Sequence, residues 1–187
     1  MRRGIFAAIL FGLLGIAAIP AHAQSQQPPI PSAPMGGMGS ESTGRNTAQP
    51  LAPLKITYGD KSATWTPATL AALPHTTVTV YNEHAKANET YAGVQLIDLL
   101  TPLGVAEKPH GKGLRLFVMA AGSDGYEVVY SIGEINPYVH DATVIVADGK
   151  DGKPLADSGP FKLIASREKD PARWVRNLVA IRVLAAE

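Results

Sequence analysis

The sequence predicts an α+β domain over residues 54–187, a mixed β-sheet carrying a few short helices. Three observations predict it. Short alternating or β-branched runs recur through this stretch, and Gly, Pro and Asp turn signals separate them. Apolar residues at helical spacing occur only in brief, scattered segments. Helices therefore do not alternate with strands as a doubly wound sheet requires, and strands outnumber them.

The elements follow in order. Leu54-Lys55-Ile56-Thr57-Tyr58 alternates apolar and polar and stops at Gly59-Asp60, a strand and a turn. Thr66-Pro67 supplies an N-cap and a proline at the first helical position, opening a short helix over 68–73 that Pro74 ends. Residues 76–81 form a β-branched, alternating strand, and 90–94 a second short extended piece. Leu96, Ile97, Leu99, Leu100 and Leu103 fall on one helical face, giving a two-turn helix ended by Pro102 and Gly104. The apolar run 114–121 suits a central strand, Asp124-Gly125 a turn, and 126–130 the returning strand. Ser131 and Glu134 have capping-box spacing for one helical turn before Pro137. Residues 143–147 form a buried strand, 148–153 a polar hairpin loop, and 161–165 the next strand. A Pro171-Ala172-Arg173-Trp174 segment leads to a last strand over 178–184.

The N-terminus has a different character. Arg2 and Arg3 precede an uncharged apolar run over 5–19, and Ala21-His22-Ala23 has the small-x-small pattern of a cleavage site. Residues 1–23 thus read as a signal peptide, and the run is shorter than the ~20 residues of a spanning helix, so no stable membrane anchor is expected. The arginine pair directly follows the initiator Met, which points to ordinary unfolded export rather than the twin-arginine route. A periplasmic or secreted location follows. Residues 24–53, rich in Pro, Gly, Ser and Gln, read as a disordered tether in which Met35 and Met38 are incidental.

Composition narrows the function. Of 17 basic residues the signal peptide holds two, leaving 15 against 16 acidic ones and no global attraction to nucleic acid. The chain has no cysteine, hence no disulfide and no thiolate metal site. His75, His84, His110 and His140 are widely spaced and read as surface loop residues. The stretch 148–153 lacks the acidic ligands of a calcium loop, and no G-x-S-x-G elbow, dinucleotide fingerprint or P-loop occurs. One asymmetry remains. Lys162, Arg167, Lys169, Arg173, Arg176 and Arg182 outnumber Glu168 and Asp170, and Trp174 lies among the arginines, a combination that can hold an anionic or aromatic ligand.

Four segments in order resemble the oxidoreductase molybdopterin-binding domain, the catalytic fold of the sulfite oxidase family. They are Tyr91-Ala-Gly-Val-Gln-Leu-Ile-Asp-Leu-Leu100, Ala121-Gly-Ser-Asp-Gly-Tyr126, the hairpin Val146-Ala-Asp-Gly-Lys-Asp-Gly-Lys-Pro-Leu155 leading to Gly159-Pro160-Phe161-Lys162-Leu163, and Trp174-Val175-Arg176 followed by Ile181-Arg182-Val183. The resemblance spans most of residues 54–185 and implies a sulfite oxidase-like mixed-sheet fold. It places the family's molybdenum-ligating cysteine near Val80, Tyr81 or Asn82, and so implies a small exported single-domain member lacking that ligand. It also likens Lys162 and Arg176 to the basic residues that hold the pterin phosphate. Lys162, Arg173 and Arg176 are the expected cofactor or ligand contacts, with no metal ligand and no catalytic residue assigned. The expected function is a non-catalytic exported binding or interaction module, with a small anionic ligand or an exported protein as partner and no bound cofactor. The alternative is a molybdopterin-dependent oxidoreductase, or an accessory subunit of one, holding the pterin without a cysteine.

N-terminal sequencing of the exported protein is expected to begin at Gln24; a membrane-bound product that keeps the first 23 residues would contradict the signal-peptide assignment.

Overall fold

A computed structural model describes residues 52–187. The expected signal peptide and all but the last two residues of the expected tether lie outside the described residues. The domain is α+β, built from two sheets and a few short helices.

The first sheet contains β1 (Leu54–Tyr58), β2 (Lys61–Trp65), β5 (Leu116–Gly122), β6 (Glu127–Ser131) and β10 (Leu178–Ala185), in the order β2-β1-β10-β5-β6. Only β1 and β10 run parallel; the other neighbours are antiparallel. The second sheet is antiparallel, with β3 (Thr76–Asn82), β4 (Ala87–Gln95) and β7 (Val144–Lys150) in sequence. The two-residue β8 (Lys153–Pro154) and β9 (Lys162–Ala165) both pair along the other edge of β7. Three short helices complete the fold: α1 (Pro67–Ala71), α2 (Leu96–Leu100) and α3 (Ile132–Ile135). Both expected capping residues act. Thr66 and Ser131 each accept from the backbone N–H three residues on, and the Thr69 and Glu134 side chains close the reciprocal bond.

The main core joins Leu54, Ile56, Leu96, Leu99, Leu100, Val118, Ile181 and their neighbours. A smaller cluster holds Val78, Val80, Tyr91, Ile145, Ala147 and Ile164. Along β7, Val144 and Val146 enter the main core while Ile145 and Ala147 enter the smaller one. Successive strand residues face opposite sides, so β7 and β9 are buried on both faces, while β3 keeps one face exposed. This is why 143–147 and 161–165 read as nearly unbroken apolar runs.

Several boundaries differ from expectation. β2 has only Ala63 and Trp65 as apolar residues, so its sequence carries no strand signal; the Gly59 turn, at φ +55°, folds it back as a hairpin edge on β1. β4 begins three residues before the expected 90. Leu114 does not belong to a strand: it sits in a 3₁₀ turn, Gly111–Arg115, and is 45% exposed. Pro102 does not stop the helix that starts at Leu96 but joins its 3₁₀ extension, Thr101–Leu103, which Gly104 ends at φ +107°. β7 continues to Lys150, which shrinks the expected 148–153 loop to a tight turn at Asp151 and Gly152, both at positive φ.

One glycine fixes the second sheet. At Gly93, on β4, the ladder to β7 shifts register, and a Cβ there would overlap the Val146 carbonyl and lie 2.5 Å from the Ala147 Cα. Gly93→Ala is expected to destabilise the domain by roughly 2–3 kcal/mol, the scale of an overpacked core, in a urea titration.

Candidate functional site

The site begins with a buried carboxylate. Glu89 and Tyr91 are two residues apart on β4, so they share a face, and both lie among the domain's buried residues. Glu89 accepts hydrogen bonds from the Tyr91 hydroxyl at 2.8 Å, from the Asn82 amide at 2.9 Å and from the Lys150 ammonium. Burial alone would raise the Glu89 pKa; the Lys150, Tyr91 and Asn82 donors outweigh it and hold the carboxyl below its ordinary value. Burial, followed by the adjacent Glu89 charge, pushes the Tyr91 phenol well above its usual range, so it stays a neutral donor.

Lys162, the first residue of β9, completes the chain of contacts. Its ammonium donates to the Tyr91 oxygen at 3.0 Å and lies 4.7 Å from the Tyr91 ring centre and 5.2 Å from that of Trp174. Trp174 meets Tyr91 edge-on at 5.9 Å and donates its indole N–H to the Ala165 carbonyl. Burial lowers the Lys162 pKa; Glu89 opposes this, while the Lys150 and Arg176 charges add to it. Among the described residues neither Lys162 nor Arg176 forms a salt bridge, whereas Lys150, Arg173 and Arg182 all do.

Lys162 and Arg176 open onto a cavity of about 650 Å³. Its wall takes Tyr81 and Asn82 from the end of β3, Asp124 and Tyr126 from the β5–β6 turn, and Ala172 and Trp174 from the loop between β9 and β10. A second hollow of about 480 Å³ shares Asn82, Glu89, Lys162 and Arg176 and reaches Lys150 and Lys153. The arginine is placed by its backbone. Leu163 and Val175 exchange both backbone hydrogen bonds, laying the loop beside β9, and Ser123 donates to the Asn177 carbonyl at 2.9 Å. A Cβ on Gly122 would lie 2.8 Å from the Arg176 carbonyl, so only glycine lets this strand end approach so closely.

Arg173 does not join them. It pairs with Glu134 at 3.0 Å and with Glu168, and stacks 4.4 Å over Tyr130, in a separate hollow of about 240 Å³. The three basic residues expected to form one contact set are therefore divided, two on the large cavity and one locking the 166–174 loop to α3. Trp174 serves in two ways, packing against both hydrophobic clusters and walling the cavity. The participants that sequence alone did not single out are Glu89, Tyr91 and Lys150. The pattern Glu89-Thr90-Tyr91 inside a strand was their one available signal, because it puts a carboxylate and a phenol on the same face.

The remaining polar groups have other partners. His75, expected to be an isolated loop residue, lies with Nε2 3.1 Å from Asp148 and Nδ1 2.7 Å from the Leu73 carbonyl. Among the described residues no three His, Asp or Glu side chains converge as a metal site. At the position that resemblance gives to a molybdenum thiolate, Val80 is in the core, and Tyr81 and Asn82 offer a phenol and a carboxamide. These are hard donors and do not fit a soft thiolate-held metal. Comparison of the chain with protein-family models and with curated proteins finds no match.

The depressed Glu89 pKa makes stability depend on pH. Its contribution is present above the ordinary carboxyl value of 4.5 and is lost as pH falls through the folded-state value. Glu89→Gln is expected to cost about 2 kcal/mol at pH 7, the scale of a charged hydrogen bond, with the gap from wild type closing below pH ~4.5 in denaturant titrations.

Proposed function

We propose that the protein is an exported, non-catalytic binding module that uses a sulfite oxidase-like, molybdopterin-binding type of fold to hold a small anion. One observation carries this reading: Lys162 and Arg176, two cations that form no salt bridge among the described residues, line one cavity with aromatic walls. Holding an unpaired ammonium half-buried is unfavourable, and an anionic ligand would relieve both its desolvation and its repulsion from Lys150 and Arg176.

The likeness in fold draws support from where the four resembling segments fall. Gly93 permits the close approach of β4 to β7, Asp124-Gly125 turns β5 into β6, Gly159 lies tight against Asn177, and Trp174 bridges the two hydrophobic clusters. Each segment does a structural task that a different residue would not do. The donor set near Val80, Tyr81 and Asn82 supports binding rather than molybdenum chemistry.

A second reading has one observation in its favour. Tyr81, Asn82, Lys162 and Arg176, which the resemblance associates with the metal and the pterin phosphate, all line the same cavity. An accessory subunit that holds a pterin phosphate without a thiolate would use these residues.

Protein purified from its native compartment is expected to carry no stoichiometric molybdenum or pterin by elemental and fluorescence measurements. Native mass spectrometry should show one small anionic adduct, absent from the Lys162→Met/Arg176→Gln double variant. Stoichiometric molybdenum with pterin would overturn the first reading in favour of the second. An unliganded protein, or an adduct that persists in the double variant, would overturn both.

A further inference from the structure

We infer, resting on the anion-binding reading above, that the cavity selects an organic anion whose flat unsaturated ring sits against Tyr81 and Tyr126 while its oxyanion meets Lys162 and Arg176. Two features of the cavity go beyond what a bare inorganic anion needs. Its volume of about 650 Å³ falls in the range of pockets that enclose whole organic molecules. Its wall also holds two of the domain's exposed large side chains, Tyr81 at 53% and Tyr126 at 45%. Single exposed aromatic residues are ordinary; two lining one cavity that Lys162 and Arg176 also line give that cavity both apolar and cationic wall.

The rings differ in how firmly they are held. Tyr126 donates its hydroxyl to the carbonyl of Ala172, another residue of the cavity wall, which ties the ring down. Trp174 is held by its indole N–H and has Lys162 over its ring, so it supports the ammonium rather than stacking on ligand. Tyr81 stands on the outward face of β3, between buried Val80 and half-buried Asn82, and its hydroxyl has no hydrogen-bond partner among the described residues. Two such rings on the wall of one cavity, one of them already tied down, offer a planar group apolar surface at a small cost in side-chain freedom.

Calorimetry on the exported full chain separates the parts of this inference with three probes: phenyl phosphate, methyl phosphate and inorganic phosphate. Phenyl phosphate is expected to bind at least about tenfold more tightly than methyl phosphate, equivalent to ~1.4 kcal/mol for the ring. Tyr81→Ala, which removes an exposed side chain outside both cores, should reduce that ratio below about threefold. Lys162→Met/Arg176→Gln should weaken phenyl phosphate at least tenfold. Equal affinity for the two esters would overturn the ring assignment while leaving anion binding intact. An unchanged ratio in Tyr81→Ala would overturn the placement of the ring. Failure of all three probes to bind would remove the anion-binding reading itself.

Discussion

The buried carboxylate of Glu89 is the constraint on which the rest of the site depends. A charge in that position must be compensated, and its compensation comes from three strands at once: Asn82 at the end of β3, Tyr91 on β4 itself and Lys150 at the end of β7. Those contacts fix the register at one end of the second sheet. Because the Tyr91 proton is committed to Glu89, the phenol oxygen is left to accept from Lys162. The ammonium is thereby aimed at the cavity instead of folding onto a carboxylate.

The two halves of the 166–177 loop divide the electrostatic work. Its first half is closed: Arg173 satisfies Glu134 and Glu168 and covers Tyr130, a tie between the loop and α3. Its second half is open. Val175 is stitched to Leu163, Asn177 to the Gly122 end of β5, and between them Arg176 is exposed with no salt bridge among the described residues. Under the binding role proposed above, a hydrogen-bonded backbone of this kind would keep the ordering cost of a bound ligand low.

Most strands were legible because burial on one or both faces leaves alternating or continuous apolar runs, as in β1, β3 and β7. β2 was not, since Lys61-Ser-Ala-Thr-Trp65 depends on backbone pairing with β1 rather than on burial. The basic surplus around Trp174 was legible as composition, and its division was not. Arg173 ends a 3₁₀ turn, Trp174 is extended and Val175 bridges to Leu163, so Trp174 and Arg176 line one cavity and Arg173 another. Neighbours in sequence became members of different sites through one change of backbone conformation. Glu89 stayed hidden because its partners Asn82 and Lys150 come from other strands, and only the folded sheet brings them together.

The place of β10 in the first sheet has a consequence for when the domain can exist. Its residues, Leu178–Ala185, lie between β1, the first strand, and β5, pairing with both. Until that last segment is synthesised, the β1–β2 hairpin and the β5–β6 hairpin have no strand to join them, and Ile181 and Val183 are missing from the main core. Contacts of such long sequence separation form slowly, because the loop must close before it is rewarded. A nascent chain of this design keeps its first sheet unassembled until β10 has been made, however early the two hairpins form.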